Sequence, residues 1–372
     1  MKTKISRFPA LSLAVAAMLL STLNAQLATC LAQGSLTPPG APAPTMKSLD
    51  QIEARKPISS APFTISAPGS YYLTTNLTVS SGNAFTIATN GVTLDLNGFT
   101  ILSAFNPATG TGILLNSGLR NITLANGFIQ SGITNNGSGT YSGVGLFNGI
   151  SYSGTPPVNV LVSRISVSSC LLYGIYLSNG DSTVVDSCTV RTVAGYGIFA
   201  STIKQSSAID CGGTAIYGDQ VSDCRGQSSG GDGVFAYTAE NCHGQSSSGD
   251  GVHANAALNC RGESSSSFGV TADSAQNCYG YSTTGSGVNT ATAESCIGAC
   301  NGNGYGVYAT AAQNCHGSSG GNGIGVFAFS TASGCYGFSN SGTGLSAFIA
   351  NVCQGATTSG TTLSATHNVN SF

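Results

Sequence analysis

Small or hydrophobic residues alternate with polar ones along most of this chain, and the alternation itself repeats. Cysteines fall at 224, 242, 260, 278 and 296, every 18 residues, and continue at 315, 335 and 353. A second series runs in phase: Gly233-Val234, Gly251-Val252, Gly269-Val270, Gly287-Val288, Gly306-Val307, Gly325-Val326 and Gly344-Leu345. One unit, residues 241–258, reads Asn-Cys-His-Gly-Gln-Ser-Ser-Ser-Gly-Asp-Gly-Val-His-Ala-Asn-Ala-Ala-Leu. Around the cysteine every second residue is Cys, Gly, Ser; around the valine it is Val, Ala. A period of two sends side chains to opposite sides of a strand. Two short strands and Gly/Ser-rich corners in each unit describe one coil of a β-solenoid. The inward set is Cys, Gly, Ser, Val, Ala, Ala. Such small residues require a thin coil, because protein interiors leave few voids.

Three solenoid types fit a coil of this length. A hexapeptide helix needs an apolar residue every sixth position, but stepping from Cys242 meets Ser248 and Ala254. A calcium β-roll needs an Asp in each half-repeat. Asp232 and Asp250 precede Gly-Val pairs, yet the equivalent later residues are Phe268, Ser286 and Tyr305. An all-β, right-handed parallel β-helix with short C-terminal coils is what remains.

The earlier half alternates with larger residues, as in Gly69-Ser70-Tyr71-Tyr72-Leu73, Val92-Thr93-Leu94-Asp95-Leu96-Asn97-Gly98-Phe99-Thr100-Ile101 and Asn121-Ile122-Thr123-Leu124-Ala125-Asn126-Gly127. Gly-Ile or Gly-Leu marks recur more loosely at 112, 145, 174 and 197, which predicts wider coils. These segments and the Asn-Cys/Gly-Val repeats resemble the secreted right-handed parallel β-helix proteins of the pectin-lyase-like superfamily. The resemblance spans residues 63–355, and coils of 18 to about 30 residues make that one domain of roughly 12–15 turns. The resemblance implies a link to polysaccharides, since that superfamily includes lyases, glycoside hydrolases, epimerases and adhesins. Fold alone does not choose among them.

Composition narrows the setting. Only 7% of residues are charged, against about 25% in average domains, while hydrophobic residues reach 41%. Disorder is excluded by that balance. Nucleic-acid binding is excluded by a net charge of −2 without a basic stripe. Lys2, Lys4 and Arg7 precede an apolar run from Ala10 to Leu20, which reads as a signal peptide over residues 1–32. Ala32–Gln33 is the expected cleavage point, with Ala25–Gln26 its competitor. Leu27-Ala28-Thr29-Cys30 also has the form of a lipobox, with Cys30 as the lipidated residue. A secreted, periplasmic or cell-surface protein follows, with no transmembrane segment after cleavage. Residues 33–62 form a Pro-rich linker or N-terminal cap. Residues 356–372, where the repeat fades, form a C-terminal cap or tail.

An oxidising compartment suggests disulfides. Stacked ladder cysteines, however, have parallel Cβ vectors about 4.8 Å apart, outside the usual disulfide range. Buried free thiols are therefore expected along the ladder. Cys296 and Cys300 lie off the simple ladder relation and are the pair best placed to bridge.

Chemistry concentrates beside the cysteines. The residues before them include Asp210, Asp223, Asn241, Asn259, Asn277, Ser295 and Asn314; those after include Arg225, His243, Arg261, Tyr279, Ile297, His316 and Tyr336. With Cys inward, both sets point outward; the Asn series has the alternative of turning inward as a hydrogen-bonded ladder. Asp210, Asp223, Arg225, His243 and Arg261 are the candidate catalytic residues. Arg225 and Arg261 would grip uronate carboxylates, Tyr279 would stack on a sugar, and His243 would serve as acid or base. Glycoside hydrolysis needs two carboxyls in a narrow range of separations, for which Asp210 and Asp223 are the candidates. Asp186, Arg164, Arg191, Lys204 and Asp181 form another lyase-like set. Asp232 and Asp250 sit one coil apart in Gly-flanked corners and are weak candidates for a Ca²⁺ ion; no other cofactor is expected. Two readings stand: a structural, cell-surface or polysaccharide-binding protein without a defined catalytic site, or a lyase or hydrolase acting on an acidic polysaccharide along one face.

Overall fold

Nearly every strand pairs in parallel with the strand one coil before it and the strand one coil after, which makes the chain a parallel β-solenoid. The computed structural model describes residues 53–178 and 182–372; the signal segment, Cys30 and Asp181 lie outside them. Arg55–Phe372 forms one unit of about 17 turns. The count exceeds the expected one because pairing begins earlier and ends later. Lys56–Ile58 already pairs with Gly69–Leu73, and Thr361–Val369 continues the ladder of Thr343–Asn351. Among the described residues no helix is long and apolar enough to cross a membrane.

Each C-terminal coil has two strands but three faces. His243–Ser246 forms a cysteine face. Val252–Leu258 is one strand bent at Asn255, with register kept on either side of the bend but not at it. Its first part makes a valine face (Val234, Val252, Val270, Val288) and its second an alanine face (Ala239, Ala257, Ala275, Ala293). The expected inward residues are inward: Cys242, Ser246, Val252, Ala254 and Ala257 are buried. The wider first coils are filled instead by Phe85, Leu94, Ile113 and Leu124.

Two local devices shape the corners. The buried serine that ends most cysteine strands clips a corner: Ser246 Oγ donates to the Gly231 carbonyl and accepts from the Gly249 N–H. Neither buried group is left unpaired, which would be costly. Before each cysteine the backbone turns left-handed, with φ of 53° at Asp223, 52° at Asn241, 53° at Asn259 and 52° at Asn277. Asn and Asp tolerate that conformation best among residues with a Cβ, and this explains the series. Its side chains stay outside, where Asn259 Nδ2 donates to Asn241 Oδ1 and Asn241 Nδ2 to Asp223 Oδ1.

The described cysteines are all free and buried. Each ladder thiol points at carbonyls, as Cys242 does at Glu240 and Val221. Burial pushes Cys224 up to about 11, and Cys260, hydrogen-bonded to Cys242 and buried, up to about 12. The expected Cys296–Cys300 pair is not formed. Cys296 belongs to the ladder, whereas Cys300 takes the place of a corner serine, in register between Ser282 and Ser319.

Candidate functional site

The outward series on the cysteine face is in register: Arg225, His243, Arg261 and Tyr279 occupy neighbouring coils. Beside it runs a second outward column that the sequence reading passed over: Gln227, Gln245, Glu263 and Tyr281. Glu263 changes the chemistry. Its Oε1 accepts from Arg261 Nε at 2.7 Å and its Oε2 from Gln245 Nε2 at 2.8 Å, while Oε1 lies 3.8 Å from His243 Nε2. Arg261 is thus already paired with a carboxylate, and its guanidinium lies over Tyr279, 5.0 Å from the ring centre. Of the expected uronate grip, Arg261 is therefore occupied, and so is the Tyr279 ring face. Burial would raise the Glu263 carboxyl, but hydrogen bonds from Gln245 and Arg261 outweigh it and hold it below its usual value. His243 is lowered by burial and by the neighbouring Arg225 and Arg261, against the opposing pull of Glu263.

Asp210 and Asp223 do not form a carboxyl pair. Both turn left-handed, with φ of 58° and 53°, but Asp210 sits in a bulge where Ala208 and Cys211 pair with Gly226 and Ser228. A bulge inserts an unpaired residue, so the sequence interval misplaces Asp210. Its carboxylate accepts from Asn135 Nδ2 (2.6 Å), Tyr141 OH (3.2 Å) and Thr192 Oγ1 (2.8 Å). These bonds pin the antiparallel hairpin of Gly132–Asn135 and Tyr141–Val144. Of Asp186, Arg164, Arg191 and Lys204, the structure brings Asp186 and Lys204 into register on adjacent coils but does not bring all four together. Arg164 donates to Asn126, and Arg191 pairs in register with Ile209 on the cysteine face.

The valine face carries a feature made of other residues. Tyr176, Phe199, Tyr217, Phe235 and His253 form one outward register column. Ring centres lie 5.0, 4.7, 4.6 and 4.8 Å apart along it. Tyr173 stacks on Tyr176 at 4.4 Å, and Tyr196 lies beside Phe199 at 5.6 Å. All are half-buried, with a ring surface left to solvent. Burial and the neighbouring phenols raise Tyr176 above its ordinary value. On the corner that leads into this face, an open trough of about 490 Å³ is lined by Leu172, Tyr173, Tyr196, Thr214 and glycines 195, 212, 213, 230 and 231. The glycines are there because successive corners stack backbone on backbone. A Cβ on Gly212 would come within 2.3 Å of the Ala194 carbonyl, and one on Gly230 within 2.4 Å of the Gly212 carbonyl. The result is an aromatic wall beside a floor nearly without side chains.

The column ends on Asp232 and Asp250, which the structure does bring together. His253 Nδ1 lies 3.3 Å from Asp250 Oδ2 and 3.9 Å from Asp232 Oδ2. Asp250 is buried rather than exposed, and its Oδ1 accepts from Ser267 Oγ and the Phe268 N–H. Asp232 Oδ1 accepts from the Asp250 N–H at 2.7 Å. Burial would raise Asp250, but His253, Ser267 and Thr271 outweigh it and hold it low; burial and the Asp250 charge raise Asp232. The Asp250 hydrogen bond raises His253. A cation would find Asp232, Asp250 and His253 within 4.8 Å of one another. The hydrogen bond to Asp250 favours the charged form of His253 beside these carboxylates.

No family model matches the chain, and no curated protein matches it. Among solved structures, the A-module of mannuronan C-5 epimerase AlgE4 from Azotobacter vinelandii is similar at 12% identity, over 81% of this chain and 90% of that one, with a TM-score of 0.36. A likeness of that degree carries no argument about activity or site.

Proposed function

We propose that this protein is an exported polysaccharide-binding β-helix whose binding surface is the aromatic column of the valine face. The observation that carries the reading is the unbroken run from Tyr176 to Phe235 beside a glycine-floored trough. Half-exposed rings offer flat apolar area with a polar tip, which suits a pyranose ring with its hydroxyls at the rim. Coils rise by about 4.8 Å, so the column from Tyr176 to His253 extends roughly 20 Å and accommodates several sugar units in a row. Binding rather than bond cleavage is supported by the cysteine face, where the expected carboxyl pair is split and Arg261 is already engaged.

The test is electrophoresis through gels containing polysaccharide, comparing the wild-type chain with a Tyr217→Leu/Phe235→Leu variant. Leucine keeps apolar cover over the coil but removes the ring faces. Each ring is expected to contribute about 1 kcal/mol, so the variant should bind at least tenfold more weakly at an unchanged melting temperature. An Arg225→Ala/His243→Ala variant should be retarded like the wild type. Retention of binding in the leucine variant and its loss in the Arg225→Ala/His243→Ala variant would move the site to the cysteine face.

A further inference from the structure

The charge distribution around the trough points to a narrower ligand class, on the premise that the valine face is the glycan site. We infer that the trough takes an uncharged polysaccharide and rejects polyuronates, the opposite of what the arginines of the sequence suggest. Among the described residues, no Lys or Arg lies on the valine face or its glycine corner from Asn148 to Ala254, apart from the segments that belong to the other two faces. Arg191 and Lys204 belong to the cysteine and alanine faces. The carboxylates that border the column are Asp232 and Asp250 at its end, with His253 between them.

A polyuronate lying along this column would place a carboxylate at nearly every coil from Tyr176 to Phe235 without a Lys or Arg to receive it, and its end would meet two carboxylates that share one imidazole partner, His253. Like charges this close lie within the Debye length of about 8 Å at physiological salt and are only partly screened. An uncharged glycan meets no such penalty. Ring stacking needs no countercharge, and the glycine floor lets the polymer approach the backbone. At the acidic end, the hydrogen-bonding capacity of Asp250 is taken up by His253, Ser267 and Phe268. The half-exposed edge of His253 remains to donate to sugar hydroxyls, and the Asp232 Oδ2 beside it to accept from them.

The experiment is biolayer interferometry with the immobilised full chain. The analytes are galactomannan, xyloglucan and mixed-linkage β-glucan against polygalacturonate and alginate, each at 20 and 500 mM NaCl. At least one uncharged polymer is expected to bind, with affinity changing less than twofold between the two salts. That binding should fall at least tenfold in Tyr217→Leu/Phe235→Leu, and neither polyuronate should bind at 20 mM. Polyuronate binding that the leucine variant loses would overturn the ligand class while keeping the site. Polyuronate binding that survives the leucine variant but disappears in Arg225→Ala would overturn both. Binding to none of the five polymers would overturn the glycan reading on which the inference rests.

Discussion

Gly262→Ala is expected to destabilise the protein by on the order of 3–5 kcal/mol, a large part of a typical domain's stability. The residue lies on the inward side of the cysteine face, and across the thin coil it meets Gly269 on the way into the valine face. A Cβ at 262 would sit 1.9 Å from the Gly269 carbonyl oxygen and 2.6 Å from its carbon. Both are backbone atoms held by the ladder, so no rotamer change relieves the overlap. The same opposition recurs at Gly244 with Gly251 and Gly280 with Gly287, which is why both positions are glycine coil after coil. Thermal unfolding followed by far-UV circular dichroism measures the effect. Thr238→Ala is the control: it is exposed on the alanine face, in register with Ala256, and should stay within about 0.5 kcal/mol of the wild type. A Gly262→Ala protein with the wild-type melting temperature would show that the coil is wider than described.

The second large effect concerns the thiols. Alkylation of the native protein at pH 8 is expected to be on the order of 10³-fold slower than in denaturant, because the ladder must open before reagent can enter. The chemistry adds to the barrier: a thiol raised to about 11, as Cys224 is, holds only about one thiolate in 10³ at that pH. After unfolding without reductant, every cysteine of the solenoid should label, Cys296 and Cys300 included, since all are free. Rapid native labelling would contradict the buried ladder. Cysteines that label only after reduction would show bridges between coils.

Much of the fold was legible because the repeat states it directly. Equal cysteine spacing and an alternating small-residue pattern leave few structures that bury Cys, Gly, Ser, Val and Ala together. The third face was hidden, because the bend at Tyr237, Asn255 and Asp273 needs no glycine or proline to announce it. The site was read less well, for two physical reasons. Titratable residues single out the cysteine face, yet a charge on a solenoid strand is as readily neutralised by its own neighbours, as Arg261 is by Glu263 two residues on. Position before a cysteine also implies a single column, and the bulge at Asp210 breaks that relation. The aromatic column did have a signal, the residue after each Gly-Ile, Ala-Ile or Gly-Val mark: Tyr176, Phe199, Tyr217, Phe235 and His253. Its members vary in type, and stacking across coils becomes visible only once the register is known.

The most direct test of the glycan-binding claim is a crystal structure with an uncharged hexasaccharide cut from whichever polymer binds. Sugar rings lying along the solenoid axis against Phe199, Tyr217 and Phe235, with a hydroxyl at His253 or Asp232, are the predicted result. Saccharide density on the cysteine face around Arg225 and His243, with the aromatic column bare, would contradict it.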